Sequence, residues 1–504
     1  MARPSRWRRS RAGDHVGEVV GPPLEPAPPD VRKWTIFAVM SIALFMSALD
    51  STIVATGLPT IRHALHTGLN WASWTITGYQ LGLVLAMPLA GRVADSIGRK
   101  QVFLAAAVMF TASSLLCGLA PDIGLLVALR LVQAAGGAAF MPAATGIVID
   151  IFGKRSNRVL GMFSSIFPLG AVVGPIAGGV IISAWSWRGM FLLNVPLGVV
   201  FTLLAWRLFP SSRPQGGRAD VLGATLFGGG ILGLMLAITD AGSRSVSLAS
   251  ARCTVPLALG VCCFWLFLRH CARSANPLVP LYLLKGRVFR AINTINLFWG
   301  ACAIGFVSLV PLFAQERFGF SPLDSGTLLT ARAVGQIVLA MVASVLIDRT
   351  GYRVPIVIGI GLIAAGLVMV AAPPQLMSPY VWLAVGSTVT GLGTGLSAPA
   401  ANNAVIDMAP NDVGAISGLR GAVRQGGAII GISMATSIAS RSGEGGHALA
   451  ECFFVVAVLL VCTAPLALLI PARMVGEGAF PGATAGPPPV TTRRRASPSS
   501  VAEG

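Results

Sequence analysis

One carboxylate stands inside an otherwise lipid-compatible run: Asp50 in ALFMSALDSTIVATGLP (43–59). An aspartate at the centre of a membrane helix costs about 2.5–3.5 kcal/mol on insertion scales, so a residue kept there has a partner, a task or both. Among the 19 acidic residues it is the only one deep in an apolar stretch. Arg130, in LRLVQAAGGAAFMP (129–142), is the partner that the spacing offers. Asp50 precedes Pro59 by nine residues, about 13 Å along a helix, and Arg130 follows Asp122 by eight residues in a segment running the opposite way. Matched depth lets the two charges meet across a cavity, each offsetting part of the other's burial cost. Two readings follow: a static ion pair that fixes helix packing, or a carboxylate that gains and loses a proton as the cavity opens to each side.

A second group lies in a short turn, GRVADSIGRK (91–100). Gly98 suits a backbone position of positive φ, and Arg99 and Lys100 hold the turn on the inner side. Asp95 closes a helix whose own dipole opposes it. It is better placed against the N-terminus of another helix, or against an arginine across a half-to-half interface, where it would act as a latch; an ordinary solvated turn is the alternative. The pattern returns weakly as IDRTGYR (347–353), with Asp348, Arg349 and Gly351, and GGAAFMP (136–142) returns as GTGLSAP (393–399). The distances from Asp95 to Pro142 and from Asp348 to Pro399, 47 and 51 residues, point to two related halves. In GAVVGPIAGGV (170–180), Gly170, Gly174 and Gly178 recur every four residues, with Gly179 beside them, and line a face that lets another helix approach closely. Pro175 interrupts the helical ladder there.

The elements that must carry these residues are membrane spans. The 504 residues are 54% hydrophobic and 11% charged, too little charge to cover a soluble protein of this length. Apolar runs of about 20 residues recur throughout, each long enough to cross a bilayer as a helix. Fourteen are expected: 34–58, 72–91, 101–120, 123–149, 159–183, 189–208, 220–240, 254–270, 290–314, 323–347, 354–372, 379–402, 413–438 and 448–470. Of the 37 Lys and Arg, only Arg62, Arg188, Arg244, Arg252, Arg317 and Arg441 fall in loops on the side away from the termini, which puts both termini in the cytoplasm. Arg130, Arg332, Arg420 and Arg424 fall within spans. The net charge of +18 is thus loop and tail charge of a membrane protein, not a nucleic-acid surface. The eight cysteines are scattered and read as small buried hydrophobes, and His63 and His66 have no further metal ligand nearby. GLGTG (391–395) sits inside an apolar span with no strand before it, so it is no nucleotide loop. No cleavable signal peptide is visible. The second D-x-x-G turn follows span ten where a plain duplication of six would place it after span eight, so spans seven and eight are inserted. The expected organisation is a disordered cytoplasmic tail (1–33), a six-helix bundle (34–208), two inserted helices with linkers (209–288), a second six-helix bundle (289–475) and a disordered cytoplasmic tail (476–504).

These segments together resemble the major facilitator superfamily, and within it the fourteen-helix drug:proton antiporters, over about residues 34–470. LDSTIVATGLPTI resembles that family's first-helix motif with Asp50 at its acidic position. GRVADSIGRK resembles the superfamily's loop motif, with Gly91, Asp95, Gly98 and Arg99 in place. LRLVQAAGGAAFMP resembles the fourth-helix motif with Arg130 at its basic position, and GAVVGPIAGG the fifth-helix motif of exporters. WSWRGMFLLNVPLG (185–198) and NPLVPLYLLKGRVF (276–289) are similar to segments around helices six and nine. The resemblance implies an all-α polytopic fold of two six-helix bundles plus two helices, in the plasma membrane. It implies export of small amphipathic drugs or natural products in exchange for protons by alternating access. Asp50 and Arg130 would couple protons, and Asp95, Arg99, Asp348 and Arg349 would gate the inner face.

One departure is Arg332, in LLTARAVG, where similar proteins have an uncharged residue, often proline. It lies at a depth close to that of Asp50 and Arg130, and no second deep acid accompanies it, which disfavours a dication as substrate and favours a neutral, anionic or zwitterionic compound. Gln80, Gln133, Asn293, Asn296 and Gln336 are the polar candidates for the cavity wall, together with Arg332. No nucleotide-binding domain or catalytic constellation is present, so neither an enzyme nor a cofactor is expected; the proton gradient supplies the energy, and the protein is expected to act as a monomer. A proton-coupled metabolite importer on the same fold is the alternative, and a sensor that has lost transport a more distant one. Whole-cell accumulation separates the first two: expression of an exporter lowers the cellular level of a substrate, and expression of an importer raises it.

Overall fold

The computed structural model describes residues 30–153, 156–210, 220–243, 246–247, 249–274, 277–278, 286–372, 377–408, 413–442 and 445–470. The expected tails therefore lie outside the described residues apart from 30–33, as do most of the linkers around the inserted helices and, in part, the segment 276–289. A chain with this composition in lipid must satisfy its backbone internally, and helices do so. In the first half, α1 (Asp30–Ala64) is followed by a short α2 (Leu69–Ala72), α3 (Trp74–Ile97), α4 (Arg99–Leu119), α5 (Ile123–Phe152), α6 (Ser156–Ala184), a short α7 (Gly189–Leu192) and α8 (Asn194–Leu208). Two further helices, α9 (Val221–Ala241) and α10 (Ala251–Arg273), precede the second half. That half comprises α11 (Arg287–Gly300), a π-helical turn (Ala301–Phe306), α12 (Val310–Phe318), α13 (Pro322–Thr350), α14 (Arg353–Ala371), α15 (Pro379–Met408), α16 (Val413–Ser442), α17 (Gly445–Cys462) and a closing 3₁₀ turn (Ala464–Leu469).

Each of the fourteen expected spans falls on helical backbone. By length and apolarity, nine helices among the described residues can cross a bilayer, or ten if 287–306 and 310–318, bent by 45°, count as one. Over their described residues α3, α6, α15 and α16 do not reach that standard. The reason in α3, α15 and α16 is a load of hydroxyl, amide and guanidinium groups, among them Thr75, Gln80, Thr390, Ser397, Arg420 and Gln425, that face other helices rather than lipid. Helix α1 also runs beyond its expected end, with Pro59 inside it, so Asp50 lies deeper from the helix end than nine residues. Two cysteines depart from the burial expected of them: Cys262 and Cys462 are exposed on helix surfaces.

The two halves repeat one packing scheme. In the first, α1 packs on α6, α3 on α5, α4 on α5, and α4 on α8. In the second, α11 and its π-turn pack on α16, α13 on α15, α14 on α15, and α14 on α17. The two D-x-x-G turns occupy equivalent joints. Gly98 ends α3 with φ 121°, and Gly351 ends α13 with φ 74°; both angles favour glycine. Two residues beyond each glycine a cation ties the turn to the last carbonyl of its half: Lys100 Nζ donates to Phe209 O at 2.6 Å, and Arg353 Nε donates to Ile470 O. The inserted pair stands at the seam. Helix α9 packs on α10, α3 and α16. It bridges the halves through Trp74 Nε1 to Thr239 Oγ1 (2.8 Å) and Ser437 Oγ to Ile238 O (2.9 Å). Asp220 caps α9 and gathers the linkers, accepting from Gly223 N–H (2.9 Å), His270 (2.7 Å) and Leu278 N–H (2.8 Å). Burial raises this carboxyl, but those donors outweigh it and hold it below its ordinary range.

The glycine stripe of α6 sets the distance to α1. A Cβ at Gly170 would sit 3.0 Å from Leu49 N, at Gly174 3.0 Å from Leu49 O, and at Gly178 2.9 Å from Ile53 O. These are the turns of α1 that flank Asp50. Gly179 and Pro175 face the other way, onto Pro322, Leu323 and Gly326 of α13. Helix α6 therefore touches the second half on one side and the Asp50 segment on the other. Gly178→Leu should cost about 1–3 kcal/mol through overpacking and lower the melting temperature of the detergent-purified protein. Gly361→Leu, at a position with nothing within 4 Å, should leave it unchanged.

Candidate functional site

Four segments of the first half converge on Asp50, which is 0% exposed. Helix α5 supplies two partners. Arg130 bonds Asp50 Oδ2, and Gln133 Nε2 donates to Asp50 Oδ1 at 2.9 Å. Helix α8 supplies Asn194, whose Nδ2 donates to the same oxygen at 2.9 Å. Arg130 has further partners: Nε donates to Thr75 O (3.0 Å), Nη1 donates to Gln133 Oε1 (2.7 Å), and Cζ lies 4.1 Å over the Tyr79 ring. Gln133 completes the set with a bond to Ser114 Oγ on α4 at 2.7 Å.

The local causes are legible. Asp122 caps α5 by accepting from Leu125 N–H at 2.9 Å, which fixes the register of that helix. Residues 130 and 133 are then three apart and share a face. The small residues of the Gly136–Gly137 stretch let α5 approach α4 and α3 closely, since a Cβ at Gly136 would lie 2.9 Å from Ala106 O and one at Gly137 3.0 Å from Tyr79 Oη. A buried ion pair tolerates a low dielectric only when its remaining donors and acceptors are satisfied. Here the carboxylate has three donors and the guanidinium has two oxygen acceptors beyond it, plus an aromatic face.

The structure brings together Asp50, Arg130 and Gln133, and places Gln133 in this network rather than on a cavity wall. Gln80 is buried at the seam between the halves, bonded to Gln425. Asn293 donates to Phe289 O in its own helix, and Asn296 donates to Arg420 O at 2.7 Å. Arg332 donates from Nη2 to Ala303 O at 2.6 Å, and Gln336 lies half-buried one turn further along α13. At the termini-bearing face, Arg99 donates to Gly146 O (2.9 Å) and pairs with Asp150 (2.5 Å), so it ties its turn to α5 of the same half. Gly91 is half-buried beside Pro142, and Arg349 is exposed. The side chains of Asp95 and Asp348 lie outside the described residues.

The halves are clasped at the face away from the termini. Arg62 pairs with Glu316 at 2.7 Å, Gln315 Nε2 donates to Thr56 O at 3.1 Å, and Thr436 Oγ1 donates to Ser73 Oγ at 3.1 Å. Deeper, Thr330 Oγ1 donates to Val172 O at 3.0 Å. The partly exposed Arg62–Glu316 pair is weak by itself; the helix contacts at Gly179 and Gly326 carry more of the closure.

Three residues escaped the sequence reading. Asn194 lay within the WSWRGMFLLNVPLG segment, but nothing in its spacing marked it as a ligand of Asp50. Arg420 and Arg424 were counted inside a span and given no role. They change the charge balance from two buried cations and one anion to four cations and one anion.

Two helical halves clasped at one face, with a charged network sealed inside one of them, describe a polytopic helical membrane protein. The major facilitator superfamily model matches residues 40–326 and 294–501, and the chain belongs to that superfamily. It is 30% identical over 417 residues to the multidrug transporter protein MdtP of Bacillus subtilis, covering 82% of this chain and 76% of that protein. It is 27% identical over 434 residues to the methylenomycin A resistance protein of Streptomyces coelicolor, covering 85% and 90%. The inward open conformation of the xylose transporter XylE from E. coli superposes with a TM-score of 0.59 at 12% identity, covering 88% of this chain and 98% of that one. A POT family transporter in complex with 5-aminolevulinic acid superposes with a TM-score of 0.64 at 15% identity, covering 86% and 95%.

Removing one partner of a buried ion pair costs about 3–5 kcal/mol. Arg130→Met should therefore lower the melting temperature sharply, and adding Asp50→Asn should restore part of it, because an amide oxygen still accepts from Gln133 and Asn194. Equal melting of the single and double variants would show that Asp50 does not depend on Arg130.

Proposed function

We propose that this protein exports small amphipathic drugs or natural products across the plasma membrane in exchange for protons, with both termini cytoplasmic. The carrying observation is the Asp50 network: a sealed carboxylate bonded from two other helices, with α6 touching both its helix and the second half. Rocking of the halves would move α13 against α6, and α6 against the turns of α1 that hold Asp50. Separation of Asp50 from Arg130 favours the neutral acid, and their return favours the ion pair. That cycle takes a proton from one side and delivers it to the other. The drug-resistance names of the relatives support small amphipathic substrates, and the distribution of Lys and Arg supports the orientation. Gln80 and Gln425 at the seam, with Asn293, Asn296, Arg332 and Gln336, would line the substrate path. Asp95, Arg99, Asp348 and Arg349, in turns shaped by Gly91, Gly98 and Gly351, would control its inner mouth. No cofactor enters this cycle, and one chain suffices for it.

Proton-driven uptake of dyes and antibiotics into inverted vesicles tests the reading. The native protein should accumulate a substrate when the vesicle interior is acidified, and Asp50→Asn should bind that substrate while losing its dependence on the gradient. Undiminished gradient-driven transport by Asp50→Asn would place the coupling elsewhere.

A further inference from the structure

The arginines of the second half are held quite differently from Arg130. Arg332 has a single bond, to Ala303 O, and Arg420 a single bond, from Nη1 to Asn402 Oδ1 at 2.8 Å. Arg424 donates no hydrogen bond among the described residues, and the Nε of all three is buried without a partner. Arg420 is only 6% exposed. No carboxylate among the described residues pairs with any of them. A guanidinium has five donors and stays charged, so an unpaired buried cluster is expensive unless an anion completes it.

Arg420 and Arg424 face α11 just before the π-helical turn, and Arg332 reaches that turn from α13. Arg420 and Arg424 are one turn apart on α16 and share a face. Asn296 of α11 bonds Arg420 O, and a Cβ at Gly300 would strike the Arg424 carbonyl. Arg332 reaches across from α13 to Ala303, one turn beyond Gly300, in the π-helical turn. π-turns of this kind concentrate at functional sites. Arg420 also lines a cavity with Ile292, Ile295, Trp299 and Ser397. Trp299 Nε1 is satisfied by Ser397 Oγ at 2.9 Å, which leaves the Arg420 Nε as an unspent donor in an apolar surround.

We infer that these three arginines bind the acidic group of the substrate, an amphipathic organic anion such as an aromatic carboxylate. The carboxylate takes the free guanidinium donors, and the apolar body lies on Ile292, Ile295 and Trp299. The inference rests on the export reading above and narrows its substrate class. It also makes the exchange electrogenic, because an anion leaving and a proton entering move charge in the same sense.

The test is binding of 2-naphthoate, 2-naphthamide and 2-naphthylmethylammonium to the purified full-length protein by titration calorimetry, with no proton gradient. The carboxylate should bind about tenfold more tightly than the amide or the cation, the range of a charged hydrogen bond. Arg420→Gln, Arg332→Gln and Arg424→Gln should each weaken the carboxylate about tenfold and leave the amide unchanged, while Arg420→Lys retains the preference. Ligand-free Arg424→Gln should melt no lower than native, since it removes an unpaired charge, so loss of folding will not mimic loss of binding. Equal affinity for the three probes, preference for the cation, or carboxylate binding indifferent to all three arginines would overturn the inference. Proton-driven export of a neutral compound with no anion preference would overturn this inference alone. Anion preference without gradient-driven transport would overturn the antiport reading alone.

Discussion

Burying a charge in a medium that cannot solvate it is the constraint on which this structure turns. Asp50 and Arg130 meet that constraint together, and four helices besides α1 are placed to serve them. Helix α5 supplies the cation and Gln133, α8 the second amide, α3 a carbonyl and an aromatic face, and α4 the hydroxyl of Ser114. Among the described residues, Asn194 Oδ1 is a buried atom of this set without a hydrogen-bond partner. A network this complete holds one geometry well. Any shift of the helices that carry it would break those bonds, so the network ties Asp50 to the packing of α1 against its neighbours.

Glycines set how closely the helices around that network pack. Close approach of α6 to α1 removes side chains from the crossing, so backbone packs on backbone along the turns flanking Asp50. The second half repeats the device. A Cβ at Gly305 would lie 2.8 Å from Ala428 O, and one at Gly431 3.2 Å from Ala301. Yet the repeat is structural and not chemical. Twelve residues before Pro142 stands Arg130; twelve before Pro399 stands Ser387, and the second half places its cations on α13 and α16 instead. Among the described residues, one half thus carries a neutralised pair and the other carries buried arginine nitrogens with no paired carboxylate.

Much of the fold was legible in the sequence because membrane insertion is a local, additive cost. Twenty apolar residues cross a bilayer whatever they pack against, and a D-x-x-G turn bounded by cations stays between spans. That reasoning located the helical segments and the two turns at 94–100 and 347–353, which end equivalent helices. Helices α3, α15 and α16 also fall at expected spans, although their polar residues lower their hydropathy because they face protein. Asp50 and Arg130 were legible as a pair because both depths could be counted from helix ends marked by Pro59 and Asp122, even though α1 runs on past Pro59.

The sequence by itself determined the helical segments, the repeated turn, and the placing of Asp50 in an apolar stretch, since each follows from composition along the chain. Only the tertiary structure decided that Asn194 and Gln133 complete the Asp50 site, that α6 links that site to α13, and that Arg332, Arg420 and Arg424 pair with no carboxylate among the described residues. Those facts depend on the azimuth of each helix and on which neighbour it meets. Azimuth is set by packing between segments far apart in the chain, which no count of residues along one helix contains.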